Sequence, residues 1–317
     1  MNARFYTPIL LVVFNRPDIT QKLFDTIRLI KPKFLYIAAD GPRHDHPDDQ
    51  SLCLETREIF SQIDWNCEVK TLFRDSNLAC GVAVSSAISW FFEHVDEGII
   101  LEDDCLPDIS FFPYCSELLS RYKEDSSIYV ISGTNLYKSI EQNLQSYFFS
   151  HYTITWGWAS WKRAWEHFNH EILDIDRSFD SGALDHVFQS PDEKKYWKRK
   201  LKESIIQKRN IWDYQWFYAI WKNKGIGITP SANLVTNIGF RERGSHQFLK
   251  DSLREPSISD SILFPLKHPQ KEIHRVADNY IYKNAFSYSV SRIFRLINEN
   301  GVPTITRYII NKFLKII

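Results

Sequence analysis

The chain has no glycine cluster of the kind that cradles a phosphate. Of its 317 residues, 11 are glycine. None forms a GxGxxG dinucleotide fingerprint or a GxxxxGK[ST] loop, which argues against a nicotinamide dehydrogenase and a P-loop NTPase. The five cysteines, Cys53, Cys67, Cys80, Cys105 and Cys115, are odd in number and contain no CxxC pair. That excludes a disulfide framework and a zinc knuckle and suits buried thiols in a reducing compartment. Charge of one sign is also missing. Lys plus Arg and Asp plus Glu are 39 each, so the surface as a whole is no lure for nucleic acid. The opening apolar run, Pro8–Phe14, is too short to span a membrane, nothing later is longer, and no secretory n-region and h-region precede it. A cytoplasmic protein is the expectation.

What is present is a βαβ rhythm. Ile9–Phe14 is a continuous aliphatic strand, and Pro17-Asp18 starts a helix with Leu23, Phe24, Ile27 and Ile30 on one face. Strands are expected at Phe34–Ala39, Glu68–Phe73 and Gly98–Leu101, with helices over Gln50–Ile63 and Ala83–His94 between them. The pattern predicts an α/β fold with a Rossmann-like, mostly parallel sheet flanked by helices and ligands at the carboxyl ends of its strands. Those ends carry Asn15 and Arg16, Asp40, Arg74 and Asp75, and Glu102-Asp103-Asp104. The stretch His44–Asp49 reads as a solvated loop, and Thr236–Gln247 as a loop as well. After about Arg275 two amphipathic helices are expected, Phe286–Ile297 and Thr304–Ile317. They either pack on the domain or lay an apolar face with basic flanks on an anionic inner leaflet.

Three consecutive acids at a strand end repel one another unless a cation or donors compensate. Hard carboxylate oxygens suit Mg2+ or Mn2+, which take one or two carboxylates plus phosphate oxygens. The competing reading is a solvated acidic turn, or a helix start capped by Asp108. Asp213, in Trp212-Asp213-Tyr214-Gln215-Trp216, reads locally as the cap of a helix Tyr214–Lys222, which does not exclude a further role. The tryptophans of Trp156–Trp165 are either core or, for Trp158, a surface for stacking on a sugar.

Pro8–Arg16, Asp40, the Glu-Asp-Asp triplet, Trp212-Asp213 and the run Gly239–Phe248 together resemble the inverting GT-A glycosyltransferases related to N-acetylglucosaminyltransferase I, a look shared by bacterial enzymes that build surface polysaccharides. The resemblance covers about 8–249. It implies a hexosyltransferase or N-acetylhexosaminyltransferase that moves a sugar from a nucleotide diphosphate, UDP above all, to a glycan or lipid-linked glycan. By that resemblance Arg16 reaches the diphosphate, Asp40 accepts from the base, and Arg74 stands at a further nucleotide contact where the family's residue type differs. Glu102 would face the donor sugar and Asp103 the ribose. Asp104 would bind Mn2+ or Mg2+, Ser245 a phosphate, and His246 phosphate or metal. Asp213 would be the general base and Trp158 an acceptor or sugar contact. The implied layout is a catalytic domain over 1–275, with a nucleotide-sugar half to about 135 and an acceptor half from 136. A helical extension over 276–317 follows, whose residues 286–317 offer a peripheral membrane contact. Competing readings are a sugar-phosphate nucleotidyltransferase and a non-catalytic carbohydrate-binding protein.

Overall fold

The structure is a computed structural model. It describes residues 4–137, 145–206, 210–239, 260–287, 289–301 and 303. β1 (Ile9–Val13) is buried along its whole length. Its side chains alternate between two cores, Ile9, Leu11 and Val13 in one, Leu10 and Val12 in the other. β2 (Phe34–Ala39) divides the same way, Leu35, Ile37 and Ala39 against Tyr36 and Ala38. A sheet whose strands are apolar on both faces has to be covered on both.

The covering helices come from the segments between strands. α1 (Pro17–Ile30) buries Ile19, Leu23, Phe24 and Ile27 and stops at Lys31, which adopts the left-handed conformation. α2 (Asp49–Glu58) runs into a 3-10 turn, Ile59–Gln62, so the helix expected to reach Ile63 tightens in its last turn. β3 (Glu68–Phe73), α3 (Cys80–His94) and β4 (Glu97–Glu102) follow as expected, α3 starting three residues before Ala83.

Among the described residues the further elements are β5 (Cys105–Pro107), α4 (Phe111–Arg121), β6 (Ile128–Ser132), β7 (Tyr147–Ser150), β8 (Trp158–Trp161), α5 (Lys162–Trp165), α6 (Ile175–Asp180), α7 (Pro191–Ile206), α8 (Asp213–Lys222), β9 (Ile226–Pro230), β10 (Val235–Asn237), α9 (Arg275–Ile281), which runs into a π-helical turn (Tyr282–Phe286), and α10 (Val290–Asn300). Among those residues the main sheet has eight strands in the order β3-β2-β1-β4-β8-β6-β9-β7. Its first four are mutually parallel, which places the ends of β1, β2, β3 and β4 on one side. The rest is mixed: β8 lies antiparallel between β4 and β6, and β7 is antiparallel to β9. The α/β expectation is met, a large central sheet flanked by helices, with the parallel character concentrated in the first half.

Two local expectations change. Thr236 does not begin a loop, because β10 pairs antiparallel with β5. Its β-branched Val235 and Thr236 suit a pleated strand, and a polar, glycine-containing run hid that signal. The tryptophan run holds a fully buried inner strand, β8, with Trp158 on one face of the sheet and Ala159 and Trp161 on the other.

The chain beyond Arg275 packs on the second half as far as it is described. Asp278 in α9 is fully buried and accepts hydrogen bonds from Ser150 Oγ (2.5 Å) and the His151 backbone (3.2 Å). Phe286 lies against Trp197 and Tyr152, with ring centroids 4.9 and 5.6 Å apart. Residues 304–317, and with them the second expected amphipathic helix, lie outside the described residues. Among the described residues no helix is long and apolar enough to cross a membrane.

Candidate active site

The parallel register of β1 and β4 matches Val12 with Glu102, so the residues that follow each strand emerge side by side. The Asp103 N–H continues the ladder by donating to Val12 O (3.0 Å). Arg16 then spans the gap. Its Nη2 donates to Asp103 Oδ1, its Nε to Asp103 Oδ2 (3.1 Å) and its Nη2 again to Asp104 Oδ2 (3.2 Å). Burial works against the guanidinium charge, but the two carboxylates outweigh it and hold the Arg16 pKa well above its usual value. Asp103 is itself raised, first by burial, with Arg16 pulling the other way.

One arginine does not neutralise this cluster. The Glu102 carboxyl is pushed up to about 8, first by burial, then by Asp104 and Asp103, with Arg16 opposing and Asp213 adding to the rise. Asp213, over a hundred residues later, therefore stands close enough to Glu102 to act on it. It acts on Cys80 too, at the start of α3.

The path that brings Asp213 here runs through tryptophan. β8 pairs with β4 at Ile100 and Trp158. Trp158 is 1% exposed and stacks on Trp212, with centroids 5.9 Å apart and 23° between the planes. Trp165 and Trp216 close the same cluster. Trp212 takes the capping position of α8 without a side-chain cap, and Asp213 is the first helical residue, its Oδ1 accepting the Tyr214 N–H (3.0 Å). A carboxylate in the first turn is favoured by the helix dipole. Trp158, expected to touch a sugar, lies in the core beneath this turn and presents almost no surface to a ligand.

At the end of β2, Asp40 is 7% exposed. Its oxygens accept from Gly41 N (3.0 Å), Leu78 N (3.1 and 3.2 Å) and Asn77 Nδ2 (2.9 Å). Burial raises its pKa despite these donors and the nearby Arg74 and Arg57. Asp40 thus pins the turn before α3, where Ala79 sits at φ 66. Arg74 donates to Ser86 Oγ (2.8 Å), and burial lowers its pKa.

Several residues at the site gave no warning in the sequence. Asp49, expected in a solvated loop, is buried with 2% exposed. It accepts from Asn15 Nδ2 (2.7 Å) and from Arg43 Nε (2.7 Å), Nη2 (2.9 Å) and N (3.1 Å). The hydrogen bonds from Arg43 above all hold the Asp49 carboxyl at about 2. On the other side of the acids, Asn237 Nδ2 approaches Asp104 Oδ1 (3.4 Å), its Oδ1 accepts from Gly239 N (2.9 Å), and Ile238 N donates to Asp104 O (2.8 Å). Gly239 packs so closely on Asp104 that a Cβ there would overlap its carboxylate. Ser245 and His246 lie outside the described residues.

The structure thus brings Arg16, Glu102, Asp103, Asp104 and Asp213 together, with Asp40 and Arg74 at neighbouring strand ends. The donors are hard carboxylate oxygens, which fit Mg2+ or Mn2+ shared with a diphosphate better than a softer ion. Among the described residues no group of three or more His, Cys, Asp and Glu is arranged to hold a metal by itself. A separate groove of about 950 Å3, lined by Phe5, Leu29, Trp65 and Phe112 among others, shares no residue with this cluster.

No family model matches the chain, and no curated protein matches it in sequence. Solved structures resemble it in shape. The galactosyltransferase LgtC, in complex with donor and acceptor sugar analogues, is similar over 83% of this chain and 90% of its own, at 8% identity and a TM-score of 0.38. The glucosyl-3-phosphoglycerate synthase of Mycobacterium tuberculosis, in complex with Mn2+, uridine diphosphate and phosphoglyceric acid, is similar over 65% and 79%, at 13% identity and 0.34. HddC from Yersinia pseudotuberculosis is similar over 40% of this chain, at 8% identity and 0.27, and the match spans 57% of HddC's length. At such TM-scores the likeness is loose, and function is read from the site's own residues.

Proposed function

We propose that the chain is a metal-dependent, inverting glycosyltransferase of the GT-A type, akin to the N-acetylglucosaminyltransferase I family. It takes a hexose or N-acetylhexosamine from a nucleotide diphosphate, with UDP favoured, and passes it to a hydroxyl of a glycan or lipid-linked glycan. The observation that supports this best is that Trp158, on the strand beside β4, stacks on Trp212 and so carries Asp213 towards the Glu102-Asp103-Asp104 cluster at the carboxyl ends of parallel strands.

The roles are those the resemblance implies, supported for the described residues by where they lie. Asp213, at the start of α8, takes the proton from the acceptor hydroxyl as that oxygen attacks the anomeric carbon. Its position is set by Trp212 stacked on Trp158, whose buried rings also keep water from its rear. Asp104 and its neighbours hold the Mn2+ or Mg2+, which when bound supplies positive charge to the leaving diphosphate. Arg16 does two things: it keeps Asp103 and Asp104 in place, and it offers a positive charge to the diphosphate. Glu102 faces the donor sugar. Ser245 and His246 add phosphate or metal contacts from the segment after Gly239. Asp40 and Arg74 belong to the nucleoside end. The protein is assigned to the cytoplasm; residues 286–317 either pack on the domain, as Phe286 does, or offer a peripheral contact with the inner face of the membrane.

A screen of sugar nucleotides for Mn2+-dependent nucleotide release tests the reading. Release from one donor, lost in Asp213→Asn while that variant still binds the nucleotide, is the expected result. Formation of a sugar nucleotide from a sugar phosphate and a nucleoside triphosphate, with pyrophosphate released, would point to a nucleotidyltransferase instead.

A further inference from the structure

Asp49 and Arg43 have no part in the roles above, yet they join the site directly. Asn15 is the neighbour of Arg16 in the chain, and its amide donates to Asp49 Oδ1 (2.7 Å). Asp49 in turn grips Arg43 by its Nε and Nη2 edge, at 2.7 and 2.9 Å, and by its backbone N–H. The Arg43 guanidinium lies over the Phe14 ring, 5.4 Å from its centroid. A buried carboxylate is costly unless it is paired and hydrogen-bonded; here the partners hold together the turn after β1 and the turn after β2.

The other arginines at these strand ends are engaged within the protein. Arg16 is forked onto Asp103 and Asp104, Arg57 donates to the carbonyls of Asp40 and Arg74, and Arg74 donates to Ser86. Arg43 differs in exposure: its side chain is 39% exposed, against 23% for Arg16. With Nε and Nη2 on Asp49, its Nη1 has no protein partner among the described residues, as is true of Arg16, but here on the more exposed guanidinium.

We propose that Arg43 is a donor-binding residue that gives its Nη1 hydrogens to a carbonyl or hydroxyl oxygen of the nucleoside half of the donor, and that Asp49 is the residue that positions it. The assignment to the nucleoside follows from place. Arg43 lies on the turn after β2 with Asp40, which the reading above gives to the nucleoside, whereas the diphosphate belongs beside Arg16 and the acids. Its fork on Asp49 fixes the direction in which the remaining N–H donors point. This rests on the nucleotide-sugar reading above and adds to it a contact that discriminates nucleoside from bare diphosphate.

The test is calorimetric titration of the full chain with UDP and Mn2+, and separately with pyrophosphate and Mn2+. Arg43→Leu is expected to weaken UDP about tenfold, as for one hydrogen bond from a charged group, and to leave pyrophosphate unchanged. Asp49→Asn should also weaken UDP. Added to Arg43→Leu it should cost nothing more, because it acts through Arg43. Arg43→Leu leaves the buried Asp49 carboxylate without its cation, so the double variant Arg43→Leu/Asp49→Asn, which removes that charge as well, carries the test if the single variant does not fold. UDP affinity unchanged in Arg43→Leu, or equal loss for both ligands, overturns the assignment while leaving the transferase reading intact. No binding of either ligand by the unaltered chain overturns both.

Discussion

At the scale of single residues, the proposed chemistry divides between Asp213 and Asp104, and the two should fail differently. Asp213→Asn is expected to lower kcat by about 100-fold or more, the usual worth of a general base, with donor affinity kept. A parallel loss of affinity would make Asp213 a structural residue. Asp104→Ala should instead remove the Mn2+ dependence of nucleotide binding; dependence that survives takes Asp104 out of the metal site. Asp49 carries a pH signature. Its folded pKa, about 2, lies below the ordinary carboxylate value, so its contribution is fully present above about pH 4 and is lost as pH falls toward 2. Asp49→Asn should therefore flatten the acid limb of a stability-against-pH curve, and an unchanged limb would contradict the pairing with Arg43. The acids at β4 were legible in the sequence because a hydrophobic strand ran straight into them. Asp49 was not, because its burial depends on Arg43 and Asn15 reaching it from two other turns, and His44–Asp48 around it is polar enough to pass for open loop.

Among elements, the antiparallel strand β8 and the pairing of β5 with β10 decide the shape of the site. Trp158 ties β8 to Trp212, so removing that ring should disturb Asp213 through its support. Trp158→Ala is expected to destabilise the fold by roughly 3–5 kcal/mol, as for a large aromatic deleted from a core. Trp158→Phe, milder in stability, should lower kcat more than it raises KM. A raised KM alone would return Trp158 to the ligand surface. β10 sets the other wall, where Gly239 lies against Asp104. Gly239→Ala should weaken Mn2+-dependent nucleotide binding without a comparable fall in melting temperature. The first four strands and their helices could be read from period and turn residues alone, since Ile9–Val13 and Phe34–Ala39 are apolar throughout. The second half could not. A run such as Trp158-Ala159-Ser160-Trp161 alternates large and small on both faces of a mixed sheet, and nothing local says that it inserts between β4 and β6.

For the whole molecule, the sequence order of the sheet differs from its spatial order, and that is how residues as distant as Arg16, Asp104 and Asp213 meet. The segment after Arg275 is bound in through Asp278, whose oxygens receive Ser150 and His151 with no exposure to solvent. Asp278→Ala should lower stability by about 2–4 kcal/mol, since it leaves buried donors unpaired, while kcat of the folded protein stays unchanged. The account stands most directly on a diphosphate nucleotide and a cation sharing the cluster beside Arg16. Melting of the unaltered protein with UDP, GDP or dTDP, each with and without Mn2+, tests that in one experiment. One diphosphate, UDP by this account, should raise the melting temperature with Mn2+ and do so much less without it. No rise with any of the three, or the same rise with and without Mn2+, would contradict it.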